Sequence, residues 1–400
     1  PEASHAEHEA LSATPPRVLV VIGTRPEGIK LAPVITALEH RAAEVETSVV
    51  LTGQHTDLMD QVLNAFQIPV RWDLGIMREG QNLYDVAEGV MNGVRDVVRD
   101  FKPGVMLVQG DTASVFFSSL VGFFERIKVG HVEAGLRSHD KWRPYPEEIF
   151  RRLTGVSADL HFAPTAEARS NLLREAVPTE QVFLTGNTVV DALLSVANQK
   201  LPIENSALQQ AIGANRPMVL ITAHRRESFG APMREAFSAI RELAERHSDV
   251  LFLYPVHPNP EVQRVAREIL TGHGSIVLTQ PLGYFDLIAA LKHATFALTD
   301  SGGIQEEAPT FGTPVLVMRE VTERPEGVQA GIAQLVGTSY DKIVQLGSAL
   351  LTGNLRQQMA GAVNPYGDGR AAERIADVVV SALTGAARKT TDWTPNALQQ

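Results

Sequence analysis

The sequence predicts an α/β protein built from two doubly wound parallel sheets. Short runs rich in Val, Ile and Leu recur from residue 17 onwards, and each is followed by a Gly or polar break and an amphipathic stretch. The runs are apolar at nearly every position, which is typical of parallel strands buried on both faces. The stretches between them have helical length and suit the right-handed crossovers that join parallel strands.

The predicted strands fall into two groups along the chain. The first group has six runs, at residues 17–23, 46–53, 103–110, 128–135, 159–165 and 181–186. After a Pro-bearing stretch near residues 201–217 the pattern restarts, with five runs at residues 217–224, 249–257, 275–282, 295–303 and 313–320. We therefore expect a disordered leader at residues 1–16, an N-terminal Rossmann-like domain at residues 17–186 and a C-terminal Rossmann-like domain at residues 187–370.

The composition is that of an acidic globular protein. Its 400 residues contain 36 Lys and Arg against 46 Asp and Glu, a formal net charge of −10. This balance argues against nucleic acid or an acidic membrane surface as a partner. The absence of cysteine excludes disulfides, thiolate metal sites and cysteine nucleophiles. No apolar run reaches the roughly 18 residues that span a bilayer. The first residues do not have the pattern of a secretory signal, so we expect a cytoplasmic protein.

Charged and polar residues follow almost every predicted strand. In open parallel sheets, ligands bind beyond the carboxyl ends of the strands, so we expect the two sheets to face each other across one cleft lined by these residues. The residues concerned are Arg25, Gln54, Asp111, Glu133, Arg137, His224, His257, Asp300 and Ser301.

Residues 23–30 follow the first strand and open a helix. Gly23 allows a tight turn, a helix N-terminus attracts anions, and Arg25 and Lys30 add positive charge. The segment is neither a Walker loop nor a G-x-G-x-x-G motif, so it does not support the interpretation of the protein as a dinucleotide-dependent redox enzyme. A Pro-initiated helix with solvated charges explains this segment equally well.

Residues 299–307 form the second candidate anion site. Ser301, Gly302 and Gly303 would offer free amides and a hydroxyl to a phosphate, and Glu307 could accept hydrogen bonds from ribose hydroxyls. The alternative is a capped helix with acidic residues near its start. We favour the diphosphate because Gly-Gly at a helix start is costly unless a ligand approaches closely.

Four carboxylates stand out as candidates for proton transfer. Asp111 taken alone reads as a helix N-cap, and Glu147 and Glu148 read as first-turn charges after a proline. Glu133 lies in a mostly apolar strand end, where nothing structural explains it. Carboxylates that converge on one pocket raise at least one pKa and allow acid/base chemistry near neutral pH.

Histidines and arginines follow the strands of the second half. His224 could bind a diphosphate or transfer a proton, whereas the Pro-flanked His257 is as consistent with a structural role. Arg225 and Arg226 could clamp an anion, although we expect one of them to pair with Glu227. The other histidines show no metal-ligand spacing.

Together the motifs resemble one family. The segments GTRPEGIKLAP, TGQH, QGDTAS, HVEAGLRS, PYPEEIFRRLTG, HFAPT, TGNTVVDAL, TAHRRES, YPVHPNP, TDSGGIQEEAPTFGTPVLVMRE, TERPEGV and NPYGDG are similar to motifs of the non-hydrolysing UDP-N-acetylglucosamine 2-epimerases, in the same order over about residues 17–385. The resemblance implies the glycosyltransferase-B architecture, with two Rossmann-like domains facing across a cleft. It also implies a helix near residues 371–383, within a C-terminal segment at 371–400, that crosses back to the first domain, and a homodimer.

The family resemblance implies reversible C2 epimerisation of UDP-GlcNAc to UDP-ManNAc, by anti-elimination of UDP to 2-acetamidoglucal and re-addition. No redox cofactor or metal is implied. Asp111, Glu133 and Glu147 match the acid/base carboxylates of the family and His224 its catalytic histidine. Positions that hold the nucleotide or complete the site match Arg25, Lys30, His257, Ser301, Gly302, Gly303, Glu307 and Arg324.

One region departs from the family pattern. In some relatives a second substrate molecule activates the enzyme, and here Gln54 and His55 match that second site, whereas Thr56-Asp57 and residues 77–81 differ from it. This departure leaves both substrate activation and the identity of the sugar open. Epimerisation of another UDP-acetamido sugar, a glycosyltransferase and a non-catalytic nucleotide-sugar sensor are the remaining alternatives.

Overall fold

The computed structural model describes residues 15–53, 57–76, 78, 80–199 and 202–394. The predicted leader at residues 1–16 therefore lies outside the described residues, apart from its last two. The chain forms two compact units. The first combines the chain up to Thr188 with Gly369–Trp393, and the second is Val189–Asp368.

The first unit contains a parallel sheet of seven described strands in the order β3-β2-β1-β4-β5-β6-β7. The strands are β1 (Arg17–Ile22), β2 (Glu46–Leu51), β3 (Val70–Asp73), β4 (Val105–Gln109), β5 (Lys128–Val132), β6 (Leu160–Ala163) and β7 (Val182–Leu184). The helices are α1 (Arg25–Glu39), α2 (Asp57–Ala65), α3 (Leu83–Phe101), α4 (Ala113–Phe124), α5 (Glu147–Ser157) and α6 (Ala166–Arg174). Helix α7 (Thr188–Ala197) begins at the unit boundary.

The second unit contains a parallel sheet of six described strands in the order β10-β9-β8-β11-β12-β13. The strands are β8 (Met218–Thr222), β9 (Leu251–Pro255), β10 (Ile276–Thr279), β11 (Phe296–Thr299), β12 (Val315–Val317) and β13 (Ala333–Leu335). The helices are α8 (Ser206–Gly213), α9 (Ala231–Arg246), α10 (Pro260–Leu270), α11 (Tyr284–His293), α12 (Gly302–Glu307), α13 (Pro325–Gln329), α14 (Tyr340–Thr352) and α15 (Leu355–Ala360). Single 3₁₀ turns occur at Thr179–Gln181, Arg226–Ser228 and Ala308–Phe311.

The central strands are largely apolar because both of their faces are buried. In β1, Val20 and Ile22 belong to the core under α1, whereas Leu19 and Val21 belong to the core under α3 and α4. The alternation of side chains along a strand thus fills two cores at once. The predicted fold class, two doubly wound parallel α/β sheets, is confirmed.

Two strands, β3 and β13, were not predicted from the sequence, and both lie at sheet edges. The exposure of β3 alternates along its four residues, and Trp72 packs edge-on against Phe101 at 5.5 Å between ring centroids. Strand β13 has only three residues, of which only Ala333 is fully buried. Neither forms a continuous apolar run, because an edge strand packs on fewer neighbours than a central one.

The C-terminal helix α16 (Ala371–Thr384) belongs to the first unit, as the sequence predicts. It packs against α1, and Ile375 and Val379 are completely buried there. Asp377 lies 2.9 Å from a guanidinium nitrogen of Arg41, and Arg374 donates to the carbonyl oxygen of Thr185 at 3.0 Å. The last described segment also returns, since the Trp393 amide donates to the Leu184 carbonyl at 2.7 Å.

The strand order of each sheet defines one switch point. In the first sheet the order reverses between β1 and β4, and in the second between β8 and β11. A crevice opens at such a point beyond the carboxyl ends of the strands. The predicted site residues follow these strands or their direct neighbours.

Candidate active site

Three loops interlock at the switch point of the first unit. A Cβ added at Gly23, after β1, would lie 2.5 Å from the Ser114 side chain at the start of α4. A Cβ added at Gly53, after β2, would overlap the carbonyl oxygen of Gly23. The Thr52 hydroxyl donates to Ser114 Oγ at 2.8 Å. Glycine is required at both positions because the loop backbones approach so closely.

Helix α1 presents the first predicted cation of this unit. Thr24 is its N-cap and Arg25 its first residue, followed by Pro26. The Arg25 side chain is half-buried and forms no hydrogen bond or ion pair with any described residue. It is therefore available to a ligand anion.

Glu27, which sequence reasoning missed, is buried directly behind this loop with 2% of its surface exposed. It accepts hydrogen bonds from the Gly23 amide at 2.6 Å and from the hydroxyls of Thr24 at 3.0 Å and Thr112 at 2.8 Å. Burial raises the pKa of Glu27 to about 7, against the lowering effect of these hydrogen bonds. The Thr-x-x-Glu spacing of a capping box is the signal that could have found it.

Asp111 lies across the switch point, after β4. The N-cap of α4 is Thr112, whose hydroxyl accepts from the Val115 amide at 3.4 Å, so the N-cap reading of Asp111 is wrong. The Asp111 carboxylate instead forms an ion pair with Arg151 of α5. Arg151, which sequence reasoning also missed, lies 3.4 Å from Glu148 as well.

The two glutamates at the start of α5 differ sharply. Both lie in its first turn, as predicted. Glu148 is completely buried and accepts from the amides of Ser138 at 3.0 Å and His139 at 3.2 Å, which fixes the preceding loop. Glu147 has a buried carboxylate oxygen that accepts no hydrogen bond from a described residue. A buried polar atom without a partner is costly, so Glu147 is the one positioned to meet a ligand.

Glu133 follows β5, the neighbour of β4, with its backbone in the left-handed region at φ 66°. Its carboxylate forms an ion pair with Lys30 of α1 and accepts from the Asn187 side-chain amide at 3.3 Å. The pairing joins two residues for which the sequence predicts separate roles. Asn187 was not singled out, although it lies in the TGNTVVDAL segment.

At the switch point of the second unit, Asp300 connects the ends of β11 and β8. It is 1% exposed, and its Oδ2 accepts from the amides of His224 at 2.7 Å and Arg225 at 2.8 Å. Its Oδ1 lies 3.0 Å from Nδ1 of the His224 ring. Burial alone would raise the pKa of Asp300, but the His224 ring and the two amides outweigh it and hold the pKa below its ordinary value.

His257 stacks on His224 with ring centroids 5.5 Å apart and an interplanar angle of 20°. Its Nδ1 accepts from the Asn259 amide at 3.2 Å, so the neutral ring carries its proton on Nε2. In both rings Nδ1 is therefore engaged, and Nε2 is the atom that can meet a ligand or exchange a proton.

The arginines after His224 do not pair as predicted. Glu227 binds Arg319 at 2.9 Å rather than Arg225 or Arg226, because β12 carries Arg319 beside the 3₁₀ turn that holds Glu227. The Nε atom of Arg225 is buried and donates to no described residue. Arg225 is thus the stronger candidate for an anion contact.

Gly302 and Gly303 follow Asp300 and Ser301 at the start of α12. A Cβ at Gly302 would come no nearer than 3.9 Å to another group, the guanidinium of Arg225, and one at Gly303 would lie 3.7 Å from Glu307. Both are ordinary contacts, so protein packing does not require glycine at either position. A ligand that approaches this backbone closely does explain the pair.

The remaining predicted site residues differ in burial and in their contacts. Arg324 forms an ion pair with the buried Glu306, whereas Glu307 is only half-buried. Arg137, with 1% of its side chain exposed, binds Glu175 at 2.7 Å, which is a structural contact. Gln54 and His55, predicted for a second site, lie outside the described residues.

The described residues contain neither a cluster suited to a metal ion nor a helix that could cross a membrane. Among the described residues, no group of three or more His, Asp or Glu side chains could hold a metal ion. Within the same part of the chain, no helix has both the length and the hydropathy to cross a bilayer.

Two doubly wound units with carboxylates, histidines and an open Gly-Gly backbone at their switch points define an α/β enzyme that acts on an anionic ligand. A family model described as UDP-N-acetylglucosamine 2-epimerase matches residues 36–380. The chain belongs to this family.

Individual relatives agree with the family model. A UDP-N-acetylglucosamine 2-epimerase of Yersinia pestis is 48% identical over 90% of this chain and 97% of its own. A crystal structure of UDP-GlcNAc 2-epimerase from Neisseria meningitidis, bound to UDP-GlcNAc, is 40% identical with a TM-score of 0.79 over 91% of this chain and 100% of that one. A glycosyltransferase from Rickettsia africae, 12% identical, shares the fold alone, with a TM-score of 0.60 over 93% of this chain and 100% of that one.

Proposed function

We propose that the protein catalyses reversible C2 epimerisation of UDP-GlcNAc to UDP-ManNAc, by anti-elimination of UDP to 2-acetamidoglucal and re-addition. The observation that carries the proposal is the placement of Asp111 and Glu133 after the neighbouring strands β4 and β5 in a chain of this family. Loss of the C2 proton and cleavage of the C1–O bond form the C1=C2 double bond. Addition of UDP to C1, with a proton delivered to the opposite face of C2, gives the epimer.

The first unit would supply the proton chemistry. The C2 proton is weakly acidic, so its removal needs a positioned base, and inversion needs a donor that reaches the other face. Asp111, Glu133 and Glu147 are the candidates. Arg151 pairs with Asp111 and Lys30 with Glu133, whereas Glu147 has a buried carboxylate oxygen that accepts from no described residue.

The second unit would bind UDP. The amides of Gly302 and Gly303, the Ser301 hydroxyl and Arg225 would donate to the diphosphate, and Glu307 would accept from the ribose hydroxyls; a Cβ at Gly302 comes no nearer than 3.9 Å to the Arg225 guanidinium. His224, oriented by Asp300 through Nδ1, would in its protonated form donate from Nε2 to the departing diphosphate. Arg25, Lys30, His257 and Arg324 are proposed to complete the binding of the nucleotide sugar.

An NMR experiment with UDP-GlcNAc in heavy water tests the reaction. We expect UDP-ManNAc to form and deuterium to appear at C2 of the recovered UDP-sugars. Epimer without deuterium would contradict the elimination route, and free ManNAc with UDP would indicate a hydrolysing enzyme. Binding without turnover would indicate a sensor. A panel of other UDP-acetamido sugars then tests the alternative substrates.

We also propose a cytoplasmic homodimer that associates through the first unit. Phe123 and Phe124 at the end of α4, and Leu153 and Val156 on α5, are large apolar side chains exposed on two helices that pack together. Exposed apolar patches of this kind are typical of protein interfaces. Light scattering should give a dimer for the wild type and a monomer for F124D/V156D.

A matched substitution provides the control for the dimer. Val321 of the second unit is also exposed, so V321D adds one negative charge, against two in F124D/V156D, at an apolar position outside the patch. We expect V321D to remain dimeric. A wild-type monomer, or a dimeric F124D/V156D variant, would contradict the proposed interface.

A further inference from the structure

Glu27 connects the two loops that meet at the switch point of the first unit. Its carboxylate binds the hydroxyl of Thr24, which is the N-cap of α1, and the hydroxyl of Thr112, which is the N-cap of α4. The third hydrogen bond comes from the Gly23 amide. One buried side chain thus joins the starts of two helices that follow adjacent strands.

The connection reaches two predicted site residues directly. Thr24 precedes Arg25, and Thr112 follows Asp111, so each hydroxyl held by Glu27 adjoins a side chain proposed for the reaction. The close approach of Gly23 to Ser114 adds a second contact between the same two loops. A helix cap needs no bond to a second helix, so the bond to Thr112 goes beyond capping.

Neutral donors alone hold the Glu27 carboxylate. The charged residues nearest along its own helix are Arg25 and Lys30, and on the facing loop Asp111. Lys30 pairs with Glu133 and Asp111 with Arg151, and the main influences on the pKa of Glu27 are its burial and its hydrogen bonds to Gly23, Thr112 and Thr24. Glu27 is therefore set apart from the ion pairs that surround the site.

We propose that Glu27 is a positioning residue that fixes Arg25 relative to Asp111 for the epimerisation. The inference rests on the proposed function. Displacement of a catalytic group by about 1 Å can cost roughly 10²-fold in rate, so loss of the three hydrogen bonds acts on kcat without removing any group that touches the substrate.

Substitutions at Glu27 separate hydrogen bonding from charge. E27A removes all three acceptor contacts, and we expect kcat to fall about 100-fold while the affinity for UDP alone stays within about twofold. E27Q can accept from the Gly23 amide through its oxygen and donate to both threonine hydroxyls through its nitrogen. We therefore expect E27Q to restore kcat to within about fivefold of the wild type.

Substitutions at Thr112 test the same connection without touching Glu27. T112V removes the hydroxyl that reaches Glu27, and T112S keeps it. We expect kcat to fall about tenfold in T112V and to recover in T112S. T165V is the matched control, because Thr165 is the N-cap of α6 and its loss costs a cap of the same kind. T165V should lower Tm as T112V does and leave kcat unchanged.

The outcomes distinguish this inference from the proposed function. A wild type that neither epimerises nor exchanges the C2 proton would overturn the proposed function. An active wild type with folded E27A and T112V variants of unchanged kcat would overturn the inference alone. An E27Q variant as slow as E27A would also overturn it, since charge rather than hydrogen-bond geometry would then be responsible.

Discussion

Two buried carboxylates occupy comparable places in the two units but have opposite electrostatics. Glu27 connects the loops after β1 and β4, and Asp300 connects those after β11 and β8. Glu27 accepts from one amide and two hydroxyls, and burial raises its pKa to about 7. Asp300 accepts from two amides beside the His224 ring, which together hold its pKa below the ordinary value despite burial. Burial therefore prevails at Glu27, whereas the His224 ring and the two amides prevail over burial at Asp300.

The comparison also explains why the two units suit different tasks. In the first unit Asp111 and Glu133 are each paired with a side-chain cation. In the second unit Asp300 engages the amides of His224 and Arg225 and the His224 ring, and it leaves the Gly302–Gly303 backbone open. One unit therefore offers carboxylates, and the other offers donors for an anion.

Removal of a paired carboxylate in the first unit should have the largest effect. We expect D111N and E133Q each to lower kcat by about 10²–10⁴, the range typical of general acid/base groups. The measurements are initial rates of epimerisation and of C2 deuterium exchange. E167Q, which removes an exposed charge on α6, is the control and should keep wild-type rates. Wild-type rates in both variants would remove Asp111 and Glu133 from the reaction.

The raised pKa of Glu27 should appear as a pH dependence of stability. Between pH 4.5 and about 7 the folded state keeps a proton that the unfolded state has lost, so this group stabilises the fold at low pH and the stabilisation is lost as pH rises. At about 1.4 kcal/mol per pKa unit the loss is about 3 kcal/mol. E27Q should lack it, as measured by urea unfolding across this range.

The quantity to compare is the difference in the free energy of unfolding between wild type and E27Q at each pH. Burial lowers the pKa of His131 to about 3 and that of His161 to about 4. Each of these histidines makes the free energy of unfolding increase as pH rises towards 6.5, which is opposite to the effect of Glu27. They contribute equally to both proteins and cancel in the difference. A flat difference between pH 4.5 and 7 would show that Glu27 titrates normally.

Asp300 should show the reverse dependence. Its lowered pKa stabilises the fold above the unfolded value of 3.8, and the stabilisation is lost as pH falls through the lower folded pKa. D300N keeps one oxygen that can accept from both amides but places an NH2 donor beside Nδ1 of His224, and we expect it to lose about 2 kcal/mol at pH 7. Unfolding of D300N should also be less sensitive to acid than that of the wild type. Equal acid sensitivity would contradict the assignment.

The glycines should show the smallest effect. G302A should change the free energy of unfolding by less than about 1 kcal/mol, because a Cβ fits there and Ala favours a helix. Its affinity for UDP, measured by calorimetry, should fall about tenfold because the Cβ fills space needed by the ligand. G23A is the contrast, since its Cβ would overlap Ser114 and unfold the site. Unchanged UDP affinity in G302A would remove the diphosphate from this backbone.

The sequence by itself was enough to predict the α/β class, eleven of the thirteen described strands and the strand ends at which the site residues lie. These features are local: buried parallel strands are apolar throughout, and a polar residue directly after such a run marks a carboxyl end. The edge strands β3 and β13 were not predicted because neither is a continuous apolar run.

Only the tertiary structure decided how the site residues are partnered. Asp111 meets Arg151 40 positions away, and Glu27 meets Thr112 85 positions away. Glu227 binds Arg319, 92 positions along the chain, in preference to the arginine beside it. No periodicity in the sequence encodes these pairs, because they depend on which strands become neighbours when the sheets form. The pairs in turn decide which polar and charged groups face one another at each switch point.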